Sequence, residues 1–151
     1  MSTIKDLMAS DHRHCDDLFV AVERSIAGGA WDMAITDFSQ FQDAMLRHFA
    51  VEESLLFPAF EERTGMYLGP TQVMRGEHIL LRELMDAAKA ALVAQDPDAY
   101  SGEAETLLIM MQQHNMKEEN VLYSMCDQYL ADRTDSLLPS LQDGIHQQER
   151  A

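Results

Sequence analysis

The chain has 151 residues, 46% of them apolar, with 26 acids against 11 bases and a formal net charge of −15. That length suits one domain with a buried core, and the apolar content argues against disorder. The acidity argues against nucleic acid or an anionic membrane as partner, because neither phosphates nor lipid headgroups attract a polyanion.

The opening stretch, MSTIKDLMASDHRH, lacks the unbroken apolar run of a signal peptide, and no segment approaches a membrane span in length. The expected location is the cytoplasm. Cys15 and Cys126 form no CxxC and no zinc-finger spacing. Two such cysteines fit a reducing compartment better than a disulfide scaffold.

In the first segment Met8, His12, Cys15, Phe19, Val22 and Ile26 recur at helical spacing up to a break at Ala27-Gly28-Gly29. In the second, Phe38, Phe41, Met45, His48, Glu52, Leu55 and Ala59 advance by alternate steps of three and four, the seam of a packed helix. Pro58 predicts a kink or a loosened turn there without ending the helix. The next break runs from Thr64-Gly65 to Gly69-Pro70, with Pro70 suited to the first turn of a new helix. Met74, His78, Leu81, Met85, Ala88 and Leu92 form the third stripe. Asp96-Pro97 then reads as an N-cap followed by a first-turn proline. The fourth stripe is Leu107, Met111, His114, Glu118, Val121 and Met125.

No stretch alternates with period two, so the expected fold is all-α: a four-helix bundle over residues 1–131. A tail, 132–151, carries Leu137, Leu138, Leu141 and Ile145. It is expected either as a short helix folded across the bundle or as a contact to a second subunit in a homo-oligomer.

Within these stripes a pattern occurs twice. His12 is followed 36 residues on by His48 and four further by Glu52; His78 is followed 36 on by His114 and four further by Glu118. The second set lies 66 residues after the first. Histidine and glutamate at i and i+4 share a helix face and make a pair of metal ligands. In antiparallel helices His12 and His48 stand at matching distances from the Gly29 turn, and His78 and His114 from the Asp96 turn, so each pair is level. Two buried carboxylates need compensation, and none of the 11 Lys and Arg residues falls on the stripes. Two metal ions would supply it; the alternative is protonated glutamates hydrogen-bonded to histidines.

Glu53 and Glu119 repeat at the same offset but are rotated about 100° from their neighbours. They are expected behind the ligands or at the surface. His14 is expected to point outward, and His146 has no partner in the pattern. The methionines, lying among leucines, read as core filling. Cys15, one turn from His12, reads as a small buried hydrophobe or as a redox partner of the site.

His12, His48-to-Glu52, His78 and His114-to-Glu118, in the motifs DH at 11–12, HFAVEESLLFP at 48–58, EH at 77–78 and HNMKEENVLY at 114–123, resemble the hemerythrin-like (HHE cation-binding) family. The resemblance runs from about Ile4 to Leu130. It implies an antiparallel up-down-up-down bundle around a non-haem pair of Fe ions with an oxo or hydroxo bridge. It also implies that Glu52 and Glu118 bridge the irons, with His12 and His48 on one and His78 and His114 on the other. A ferritin-like site needs Glu-x-x-His motifs, which have the opposite order and a different interval.

Oxygen-carrying members have a further histidine one turn before the position of His78; here Met74 stands there. That departure disfavours simple oxygen carriage and favours reaction with O2, peroxide or nitric oxide. The other reading is a sensor or metal-binding module without turnover. Members implicated in repair of iron-sulfur centres share the four-His, two-Glu set but carry an added cysteine-containing segment. Tyr123, matching Phe57, is expected to pack near the site without an assigned role.

Overall fold

A computed structural model describes residues 2–146. Helix α1 spans Ile4–Ala27. It opens on a capping box in which Thr3 Oγ1 accepts from the Asp6 N–H and the Asp6 carboxylate accepts from the Thr3 N–H, at 3.0 and 3.2 Å. The Asp127 carboxylate takes the next two amides, those of Ile4 and Lys5, at 2.8 and 3.2 Å, tying this end to the fourth helix. Gly28 and Gly29 turn the chain, with Gly29 in the left-handed region at φ 73°.

Helix α2 is continuous but changes pitch. An α-helical stretch Trp31–Val51 passes into a π-helical turn at Glu52–Leu56, and α-geometry resumes over Phe57–Thr64. Gly65, at φ 74°, ends it. Helix α3 spans Pro70–Val93, with proline in its first turn. Helix α4 repeats the build of α2, with Pro97–Lys117, a π-turn at Glu118–Leu122 and Tyr123–Tyr129. Asp96 caps it by accepting from the Ala99 N–H at 3.0 Å. The helix boundaries thus fall at the breaks expected from glycine, proline and the caps.

The π-turns correct the sequence reading at two points. A loosened turn was expected from Pro58, yet α4 has the same turn with no proline near it. A feature shared by both helices does not depend on that proline. The apolar stripes also change phase: Leu55 and Met125 are only partly covered and Val121 is 51% exposed, while Leu56, Phe57, Leu122, Tyr123 and Cys126 are buried. A π-turn carries one more residue than an α-turn, so the buried face beyond it moves on by about one residue, with Ala59 and Phe60 both buried.

The four helices enclose two apolar layers separated by a polar one. One layer packs Phe19, Phe38, Phe41, Met85, Tyr100 and Leu107; the other packs Met8, Leu56, Phe57, Phe60, Tyr123 and Leu130. The six expected ligands lie in the slab between them. A short 3₁₀ turn, Ala131–Arg133, leads into α5, Thr134–Ile145.

Helix α5 rests on α1 and α2 of its own chain and buries Leu137, Leu141 and Ile145. Gly144 permits the approach, since a Cβ there would stand 2.2 Å from Val51 Cγ1. Arg47 Nε donates to the Ile145 carbonyl at 3.0 Å, satisfying an end that helices leave open. The last five residues of the 132–151 tail lie outside the described residues. Among the described residues no helix is long and apolar enough to cross a membrane.

Candidate metal centre

One histidine is delivered by each of the four bundle helices: His12 from α1, His48 from α2, His78 from α3 and His114 from α4. All are buried, and Glu52 and Glu118 are fully buried. His12 and His48 pack with ring centroids 4.5 Å apart, and His78 and His114 with centroids 5.0 Å apart.

The glutamates stand between these pairs. Glu118 Oε1 is 3.1 Å from His12 Nε2 and 3.2 Å from His114 Nε2; Glu52 Oε1 is 3.2 Å from His78 Nε2 and 3.6 Å from His48 Nε2. Each carboxylate therefore faces one histidine from either pair. Glu52, His78, His114 and Glu118 form one group able to hold a cation, and His12, His48 and Glu118 form another.

The orientation of the rings comes from a second set of acids. His12 Nδ1 meets Glu119 at 2.7 Å, His48 Nδ1 meets Asp11 at 2.8 Å, His78 Nδ1 meets Glu53 at 2.6 Å and His114 Nδ1 meets Glu77 at 2.8 Å. A carboxylate accepting the Nδ1–H fixes the tautomer that leaves the Nε2 lone pair for a metal. All four Nε2 atoms point into the polar slab. Glu53 and Glu119 thus stand behind the ligands. Asp11 and Glu77 have the same role, which the sequence reading did not assign, although they too repeat at the offset of 66 directly before His12 and His78.

Tyr123 is the other residue whose role was not foreseen. In a π-turn residues i and i+5 align, and the Tyr123 amide bonds back to the Glu118 carbonyl. The phenol is thereby carried over the carboxylates. Its oxygen lies 2.7 Å from Glu52 Oε2, 2.9 Å from Glu118 Oε1, 3.1 Å from His48 Nε2 and 3.2 Å from His12 Nε2. Phe57, five residues after Glu52, occupies the corresponding place beside His78, at 5.7 Å between ring centroids against 5.6 Å for Tyr123 and His12.

The two halves also differ in charge. Arg82 clamps Glu53 through two contacts of 3.0 Å, and Lys117 pairs with Glu77. The residues 66 positions before Arg82 and Lys117 are Asp16 and Val51, so the His12–His48 half lacks these cations.

Burial and crowding set the protonation of the slab. Burial and the charge of Glu52 push the Glu118 carboxyl up to about 7. Burial works against the charge of Glu52 as well, but His48 and the contact with Glu118 outweigh it and hold Glu52 well below the carboxylate range. Burial also disfavours the charged forms of His48 and His114; the adjacent acids, Glu52 and Asp11 for His48 and Glu118 for His114, prevail and raise both. Burial and then His48 lower His12 to about 4.

Protons do not complete this cluster. Glu52 Oε1, Glu118 Oε2, His78 Nε2 and His114 Nε2 are buried without a well-directed hydrogen bond, the 3.2 Å approaches of His78 to Glu52 and of His114 to Glu118 being poorly aligned, a costly condition for polar atoms. Imidazole nitrogen with carboxylate oxygen is a donor set for iron, zinc or manganese. The residues present therefore fit a metal pair.

His14 is exposed, as its spacing predicts. Cys15 and Cys126 are buried free thiols, pushed up by burial and then by nearby acids, Asp11 for Cys15 and Glu52 for Cys126. Such thiols are poor nucleophiles. Met74 is buried one turn before His78, and Met8 occupies the same place before His12.

No curated protein and no solved structure gives a significant match to the chain. The family model described as the hemerythrin HHE cation binding domain matches residues 3–126. With that match over most of its length, and with the buried histidines and glutamates gathered into groups able to hold a cation, the chain belongs to the hemerythrin HHE cation-binding domain family.

Proposed function

We propose that the protein is a non-haem di-iron protein that binds or reacts with a small ligand, O2, peroxide or nitric oxide. His12 and His48 would hold one iron, His78 and His114 the other, and Glu52 and Glu118 would bridge them. The observation that carries this reading is the pairing of every Nδ1 with its own carboxylate, which leaves four Nε2 atoms converging on two shared glutamates. Iron would supply electrons and coordination positions for the small ligand.

The chain's own contribution is threefold. The Nδ1 contacts hold the imidazoles in the ligating tautomer and raise their basicity. The apolar layers on either side exclude bulk water, which strengthens every electrostatic interaction in the slab. Met8 and Met74, one turn before His12 and His78, add no imidazole to either half. Each iron would then be held by two histidines and the two shared glutamates, without the further histidine that oxygen-carrying members have.

The test begins with the metal-free protein, loaded with ferrous iron without air and then assayed for metal and visible absorption on oxidation. Two irons per chain with ferric absorption support the reading; zinc alone or no metal overturns it. Mixing the reduced protein with oxygen or nitric oxide follows. Stable, reversible oxygen uptake would overturn the preference for reaction over carriage. Ligand binding without turnover would point to a sensor.

Two further outcomes are expected. Asp11→Ala and Glu77→Ala each release one ligand ring and should weaken iron binding roughly 10–100-fold, measured by competition with a chelator. Unchanged affinity in both would show that the Nδ1 contacts do not organise the site.

Affinity should also rise with pH. Glu118 holds its proton up to about 7, and His48 and His114 hold theirs above the ordinary histidine range. Each must release a proton to bind metal. Calorimetry in buffers of different ionisation enthalpy should show net proton release and tighter binding at pH 8 than at pH 6. A flat profile would contradict the assignment of these groups as ligands.

A further inference from the structure

We infer that Tyr123 is a seventh protein ligand, its phenolate binding the metal held by His12 and His48 and making the two metal positions chemically unequal. This rests on the di-iron reading and adds to it a residue and an asymmetry.

The phenol oxygen lies at the point where the His12 and His48 Nε2 atoms converge, 3.2 and 3.1 Å from them, and also contacts both glutamates, at 2.7 Å to Glu52 Oε2 and 2.9 Å to Glu118 Oε1. A hydroxyl has one proton to donate. Each imidazole spends its Nδ1–H on an acid, Glu119 for His12 and Asp11 for His48, so in the deprotonated form that binds metal four acceptor atoms surround the phenol. One proton serves one of the four; a cation held among them serves all. When a metal binds, the phenol O–H bond breaks, its proton leaves to solvent and its oxygen lone pair goes to the metal, with no change of oxidation state.

Tyr123 is fully buried, and its position is set by the π-turn that begins at Glu118. The same turn at Glu52 delivers Phe57, which has no oxygen, so the His78 and His114 Nε2 atoms face only the glutamates, at 3.2 Å each. The metal on that side therefore has one protein ligand fewer.

The experiment loads wild type and Tyr123→Phe with iron, oxidises both, and records iron content, visible absorption and resonance Raman spectra. Wild type is expected to show a phenolate-to-iron charge-transfer band with enhanced tyrosine ring modes that shift when ring-deuterated tyrosine is incorporated. Tyr123→Phe should lose the band and the modes while still binding two irons. Wild type binding two irons without ring-mode enhancement would overturn the inference and leave the di-iron reading standing; so would a Tyr123→Phe protein that keeps the band. Absence of bound iron in wild type would overturn both. Should Tyr123→Phe fail to fold, the isotope shift in wild type decides alone, with Phe57→Tyr as the second variant, expected to add a second phenolate signature.

Discussion

Replacing Glu118 with alanine is expected, on the proposed di-iron reading, to reduce bound iron from two ions per chain to one or none. Glu118 belongs to both groups able to hold a cation, and its Oε1 is within 3.2 Å of a histidine from each pair. Loss of a carboxylate behind a ligand already costs roughly 10–100-fold in affinity, so removing one shared by both metals should cost more than about 100-fold. Glu52→Ala is expected to act in the same direction, because Glu52 also faces both pairs. Metal analysis after desalting reads the result directly. Two irons retained in Glu118→Ala would refute the bridging assignment. Circular dichroism of both variants checks the fold, because Glu52→Ala takes from His48 a carboxylate that raises it and breaking a buried pair is destabilising.

Chelation should lower the melting temperature by roughly 10 °C at pH 8. A ligand present at about 1,000 times its dissociation constant stabilises the folded state by about 4 kcal/mol, and about 1 kcal/mol shifts a domain of this size by roughly 2–4 °C. The pH is chosen by sign. Glu118 binds its proton more tightly in the folded chain than in the unfolded one, so stability falls as pH rises from the ordinary carboxyl range through about 7. His48 and His114 are raised; their contribution is complete below the unfolded histidine value and is lost as pH rises through their folded values. Glu52 is lowered, and its contribution is lost only in acid. The metal-free protein should therefore be less stable at pH 8 than at pH 6, where the metal-loaded protein should change little. Calorimetric scans with and without chelator at both pH values check this; equal melting of the two forms at pH 8 would show that the metal is incidental to the fold.

How far the site is legible in the chain depends on which interactions are local. The helices and their ends are local: the Thr3–Asp6 box, the Asp96 cap, Pro70 and Pro97 in first turns, and glycines at positive φ act within a few residues. The ligand faces are local too, because an i, i+4 histidine and glutamate share a side of any α-helix. The 66-residue repeat then places both halves at one depth.

What lies beyond the glutamates is not local. Continuing the stripes by steps of three and four leads to Val121, whose side chain stands in solvent. One extra residue in the turn at Glu118 brings Tyr123 inward instead, and α4 carries no proline to signal it. The carboxylates behind the rings also come from other helices, such as Glu119 on α4 for His12 on α1, 107 residues away.

The sequence by itself determined the all-α class, the helix boundaries and the six residues to be gathered, because helical period, capping and spacing act over one or two turns. Only the tertiary structure decided the π-turns, the four Nδ1 partners, the placement of Tyr123 against Phe57 and the seat of α5. Those depend on which helix faces which, and on how a turn adjusts its pitch so that buried carboxylates meet buried imidazoles.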